Sequence, residues 1–219
     1  MKKLITALSF FVLLSQNLSA QNSSELRHAD YLFFLHNRFT EEMPPGAEHI
    51  EYGRSQYMEI VEEFTNAGFI LMTEKRPAGT DINQYGKKIT FQIDSLLKLG
   101  IPPNHITVVG ISKGGYIAQI VSTLLANPNI NFVFIGCFRT QDLVNLPNIN
   151  YCGNIMTIYE RSDEFGVSAI ERKRSSKLTI TRFKEIELNT GLKHGFLFRP
   201  LKEWISPTIM WGKRKYGLR

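Results

Sequence analysis

The sequence predicts an α/β protein: a doubly wound, mainly parallel six-stranded sheet with helices on both faces. Three observations lead there. From Asp30 onward, short runs of apolar and β-branched residues alternate with longer segments whose apolar residues recur every three to four positions. The five crossovers between successive strands are all long enough to be parallel and right-handed. The middle strand passes into a helix through Gly110-x-Ser112-x-Gly114, a tight turn that presents a serine at the strand's end.

The elements follow in order. Residues 30–35 (DYLFFL) are almost continuously apolar, as a strand covered on both faces requires, and run into His36-Asn37-Arg38. Residues 40–51 contain Pro44, Pro45 and Gly46 and predict a long loop. Residues 55–66 predict a helix, with Tyr57, Ile60, Val61 and Phe64 inward, Glu59, Glu62 and Glu63 outward, and Gly68 as the stop. Residues 69–72 form the second strand and 74–80 a loop. Asp81 caps a helix that runs through Tyr85, Ile89, Ile93, Leu96 and Leu97 to Gly100. Pro102 and Pro103 separate it from the central strand at 107–109. Tyr116, Ile117, Ile120, Val121 and Leu124 then share one helical face. Strands at 131–136 and 154–159 follow, then a helix at 167–174 and a strand at 178–188 whose weaker apolar character suits an edge. Residues 190–196 read as a loop and 201–211 as the closing helix. No repeat, low-complexity segment or separate lid domain interrupts the series.

The N-terminus reads differently. Lys2 and Lys3 precede an apolar stretch at 4–14, too short to span a bilayer, and Leu18-Ser19-Ala20 offers a small-residue cleavage site. Residues 1–20 are therefore expected to be a signal peptide and 21–219 a single exported domain, periplasmic or secreted, with no stable membrane insertion after cleavage. Loss of Lys2 and Lys3 lowers the formal charge of +6 by two. That mild balance, without a basic stripe or nucleic-acid motif, argues against a nucleic-acid partner. Cys137 and Cys152 allow either a disulfide in an oxidising compartment or two buried thiols. No Cys/His spacing suggests a metal site, and no cofactor is expected.

Polar residues of catalytic type fall at strand C-terminal ends, in the order Ser112, Asp163, His194. A Gly-rich strand–helix turn is the plain alternative for 110–114; the strand before it, the helix after it and the acid and histidine downstream weigh against that alternative. With GISKGGYIAQ at the turn, YERSDEFG after the next strand but one, and TGLKHGFLFRP near the end, the chain resembles the α/β-hydrolase superfamily across residues 30–211. It looks like a compact, lid-poor bacterial member that lacks the family's first antiparallel strands, and the implied spatial order, with strands numbered along this chain, is 2-1-3-4-5-6.

The resemblance implies roles. Ser112 would be the nucleophile, His194 the base and Asp163 the acid that orients it, with Glu160 and Glu164 as rivals. The oxyanion hole would use the backbone N–H groups of Lys113 and Asn37. Relatives often show His-Gly where this chain has His36-Asn37; asparagine tolerates unusual backbone angles, so the hole can survive the change. His36, Arg38, Arg76 and Tyr116 are candidate substrate-binding residues. His36 has the alternative of pinning the loop, and the two arginines that of pairing with Glu41 and Glu74. The Lys113 side chain is expected in solvent, and Tyr116, Phe39, Phe196 and Phe198 either line an acyl pocket or belong to the core. The implied activity is serine-hydrolase cleavage of a small ester through an acyl-enzyme; the alternative is a catalytically silent binding module of the cell envelope.

Overall fold

The computed structural model describes residues 26–217. The expected signal peptide lies outside them. The strands are β1 (Asp30–Leu35), a two-stranded hairpin of β2 (Glu48–His49) and β3 (Gly53–Arg54), β4 (Phe69–Met72), β5 (Ile106–Ile111), β6 (Asn131–Ile135), β7 (Gly153–Glu160) and β8 (Ile180–Leu188). The helices are α1 (Arg38–Glu42), α2 (Tyr57–Asn66), α3 (Ile82–Lys98), α4 (Lys113–Leu125), α5 (Asp142–Asn145), α6 (Ile170–Ser175) and α7 (Lys202–Gly212). Six strands form one parallel sheet in the order β4-β1-β5-β6-β7-β8. Counted along the chain without the hairpin, that is the order 2-1-3-4-5-6.

Strand alternation divides the core. Phe33, Leu35, Val108, Phe132, Phe134 and Ile155 point to one face, where Ile89 and Ile93 of α3 and Ile117 and Val121 of α4 cover them. Leu32, Phe34, Val109, Val133, Ile135 and Ile158 point to the other, under Ile60 and Phe64 of α2 and Trp204 and Trp211 of α7. Each fully buried side chain of this size contributes about 1.5–3 kcal/mol. β8 is an edge strand, exposed at Thr181, Arg182 and Glu187. Asp81 caps α3 through Oδ1, which accepts from the Gln84 N–H at 2.8 Å. Gly68 and Gly100 follow their helices at φ +77° and +82°.

Two expectations need correction, and one open alternative is decided. Residues 40–51 are not one long loop: α1 precedes Pro44-Pro45, and the chain then turns back through β2 and β3, where Glu48 pairs with Arg54 and His49 with Gly53. Such short pairings leave no periodicity to read. The helix expected at 167–174 is found at Ile170–Ser175, and the segment before it is tied down outside the helix, the Val167 N–H donating to the Phe138 carbonyl at 2.8 Å. Of the two alternatives left open for Cys137 and Cys152, the structure has the buried free thiols, and burial pushes the Cys137 thiol up to about 12.

Candidate active site

Strand order places the site. β1 continues to β4 on one side and β5 continues to β6 on the other, so the crevice between the C-terminal ends of β1 and β5 is the topological switch point. Asn37 follows β1 and Ser112 follows β5. Asp163 and His194 arrive from beyond β7 and β8.

Ser112 sits at φ 50° and ψ −119°, a strained conformation for a residue with a Cβ. Its N–H donates to the Ile135 carbonyl at 2.9 Å, and its own carbonyl accepts the Gly115 N–H at 2.8 Å. The turn closes only without side chains on either side. A Cβ on Gly110 would lie 2.3 Å from the Gly114 oxygen, and one on Gly114 would lie 1.9 Å from the Leu35 oxygen. The second contact also seats the start of α4 against the segment that leaves β1.

His194 lies in a short 3-10 helix (Lys193–Phe198), reached through Gly191 at φ 71°. Its Nδ1 is 2.7 Å from Asp163 Oδ2, and its Nε2 is 2.9 Å from Ser112 Oγ. A carboxylate only accepts, so Nδ1 carries the proton and Nε2 is left to accept the serine hydroxyl. Asp163 Oδ1 accepts the Phe165 N–H at 2.9 Å. The structure thus brings Asp163, and neither Glu160 nor Glu164, to the imidazole.

Glu160 has a different place. Fully buried at the end of β7, it accepts the Thr190 N–H at 2.8 Å, the Thr190 hydroxyl at 2.7 Å and the Ser162 hydroxyl at 3.0 Å. Burial pushes its carboxyl up, but these bonds outweigh that and hold it below the ordinary range. It therefore clamps the loop that carries His194 to the turn that carries Asp163. Glu164 is exposed at the rim of the cleft.

Asn37 needs no unusual backbone angle. At φ −72° and ψ 175° it is extended, and it serves as the N-cap of α1, its Oδ1 accepting the Thr40 N–H at 2.9 Å. The Lys113 N–H lies in the first turn of α4, where helix donors have no intrahelical acceptor. Among the described residues, neither the Asn37 nor the Lys113 N–H has a hydrogen-bond partner.

His36 and Arg76 stand behind the cleft rather than in it. His36 Nε2 accepts the Arg76 backbone N–H at 3.0 Å, so the imidazole is neutral and its Nδ1 donates to the Asn37 carbonyl at 2.8 Å. Burial, and then the Arg76 charge, lower it to about 4. Arg76 is buried against Glu41, with Nε 3.1 Å from Oε2. Neither residue is placed to touch a substrate, because both are spent on holding the segment after β1. Arg38 does line the cleft but pairs loosely with Glu42 at 3.8 Å. The Lys113 side chain does not run into solvent: its Nζ reaches Glu41 Oε1 at 2.5 Å with the side chain 12% exposed. Burial pushes the Glu41 carboxyl up, yet Lys113 and Arg76 together hold it below the ordinary range. Pairing with Glu41 was the alternative reading of the arginines, and Arg76 takes it; the second tie, from Lys113, carried no sequence signal, because the two residues are far apart along the chain.

The cleft has a volume of about 850 Å³. One wall is aromatic: His49 stacks on Tyr52 at 4.3 Å between ring centroids, and Phe198 packs against Phe39 at 5.1 Å. The other carries Ile82, Arg139 and Tyr116, whose hydroxyl donates to Asp142 at 2.7 Å. Phe196 is in the core, not the cleft. The hairpin that supplies His49 and Tyr52 was invisible in the sequence. Among the described residues no helix is long and apolar enough to cross a membrane.

No family model and no curated protein matches the chain. Solved structures match its fold. Arabidopsis thaliana SOBER1 aligns with a TM-score of 0.57 at 13% identity, over 85% of this chain and 99% of that one. Dienelactone hydrolase from Anabaena variabilis aligns with a TM-score of 0.55 at 12% identity, over 85% of this chain and 86% of that one. MGS-M1, an α/β hydrolase from a Medee basin deep-sea metagenome library, aligns with a TM-score of 0.50 at 14% identity, over 90% and 89%. At such identities the likeness is one of fold: the sheet is the doubly wound sheet of α/β-hydrolases.

Proposed function

We propose that the protein is a serine hydrolase that cleaves small esters through an acyl-enzyme on Ser112. One observation carries the reading: the unbroken run of hydrogen bonds from Asp163 Oδ2 through the His194 ring to Ser112 Oγ, at 2.7 and 2.9 Å. In this reading His194 Nε2 takes the serine proton as Oγ attacks the carbonyl carbon, then returns it to the departing alcohol. Asp163 keeps the ring in the accepting tautomer and offsets the charge that it gains. The oxyanion is received by the N–H groups of Asn37 and Lys113, which have no other partner among the described residues. Water then enters the same cycle and releases the acid.

The aromatic wall of Phe39, Tyr52 and Phe198 supports an apolar acyl or alcohol group of modest size. That a dienelactone hydrolase shares the fold supports ester chemistry as the class. Export to the periplasm or beyond belongs to the proposal on the strength of residues 1–20 alone; the mature protein should begin at Gln21 by N-terminal sequencing.

A fluorophosphonate probe tests the chemistry. Wild type should be labelled and Ser112→Ala should not. A folded wild type that takes no label would overturn the proposal in favour of a silent binding module.

A further inference from the structure

We infer that the buried ion-paired chain Lys113–Glu41–Arg76 is a positioning device that aims both oxyanion donors into the cleft. The inference rests on the reading of Ser112 as nucleophile.

The argument starts from one peptide unit. The carbonyl of His36 and the N–H of Asn37 belong to the same planar group and point in opposite directions. Arg76 Nη2 donates to the His36 oxygen at 2.5 Å from behind the cleft. Holding that oxygen inward turns the Asn37 N–H the opposite way, and Asn37 lines the cleft. The guanidinium is itself held by Glu41 Oε2 at 3.1 Å. Glu41 stands four residues after Asn37, in the helix that Asn37 caps, and also accepts the Thr80 N–H at 3.0 Å.

The second donor is tied to the same carboxylate. Lys113 contributes its backbone N–H, and its side chain folds back to Glu41 Oε1 at 2.5 Å. One carboxylate therefore links the residue after the serine to the turn after β1. The two donors, one just after β1 and one in the first turn of α4, are thus tied by the Lys113 side chain at one end and a guanidinium at the other.

Burial favours positioning over simple stability. The Arg76 and Glu41 side chains are fully buried, and Arg76 Nη1 has no hydrogen-bond partner among the described residues. Well-packed apolar residues would hold the fold at least as well as such a group of desolvated charges. They would not orient a carbonyl.

Lys113→Met tests this, because it keeps the backbone donor and removes only the tie. On a neutral short-chain aryl ester, kcat should fall about 10- to 100-fold with KM within about twofold of wild type. Lys113→Arg should recover most of the loss. Affinity for a trifluoromethyl ketone, which forms a tetrahedral adduct on serine, should fall with kcat/KM, while an unreactive amide isostere binds as before. Glu41→Gln, outside the cleft lining, should repeat the pattern; if it does not fold, the Lys113 pair still decides. An unchanged kcat in folded Lys113→Met, or a loss confined to KM, would overturn the inference while leaving the hydrolase reading intact. A wild type that neither hydrolyses esters nor takes a fluorophosphonate would instead remove the reading itself, and the inference with it.

Discussion

His36 provides a stability measurement with a definite sign. Its ring is buried, faced by Arg76, by Glu41 of α1 and by Tyr57 of α2 at 5.6 Å. Nε2 is already occupied as an acceptor. The folded state therefore resists protonation down to about 4, while the unfolded chain takes up its proton near the ordinary value of 6.5. Between those values the unfolded state binds more protons, so stability is complete above pH 6.5 and falls as the pH drops toward 4. At about 1.4 kcal/mol per unit, the step from pH 6.5 to 4.5 removes about 2–3 kcal/mol. The carboxylates with lowered values, Glu41 and Glu160 among them, lose their contributions only below that interval. Urea unfolding of wild type and His36→Gln at pH 7.5 and 4.5 isolates the effect. Glutamine can still accept the Arg76 N–H but cannot titrate. The wild type should lose about 2–3 kcal/mol more than the variant across the interval. Equal losses, or a His36 ring that titrates near 6.5 by NMR in the folded protein, would refute the reasoning.

Other outcomes follow from the same geometry. Asp163→Asn should lower kcat on an aryl ester by about 10⁴-fold, because the ring loses its tautomer, whereas Glu164→Gln at the exposed rim should stay within about twofold of wild type. Glu160→Gln should cost about 1–3 kcal/mol in denaturant unfolding, through the weakened bonds to Thr190 and Ser162, and should slow fluorophosphonate labelling as His194 loses its fixed position. Gly114→Ala puts a methyl group 1.9 Å from the Leu35 oxygen, and its soluble yield and melting temperature should both drop; a wild-type melting curve would contradict that contact. In a series of aryl esters of increasing acyl length, Phe39→Ala and Phe198→Ala should move the optimum toward longer chains by opening the aromatic wall.

Much of this arrangement can be read along the chain because it depends on local chemistry. Two-residue alternation in DYLFFL already assigns Leu32 and Phe34 to one face and Phe33 and Leu35 to the other, and the sheet keeps that assignment. Glycines at 110 and 114 announce a turn too tight for side chains, and the contact distances at both positions give the reason. The order Ser112, Asp163, His194 is written in one dimension, and strand C-terminal ends bring ordered residues to a common rim. What the linear pattern could not supply depends on partners 30 or more residues away: Glu41 with Lys113, or Glu160 with Thr190. A carboxylate alone in a sequence looks the same whether it will be solvated, be the acid beside a histidine or bridge two buried cations. Folding chooses among these by which charges it removes from water together, and that choice set Asp163 beside the imidazole, Glu160 behind its loop and Glu41 beneath the turn after β1.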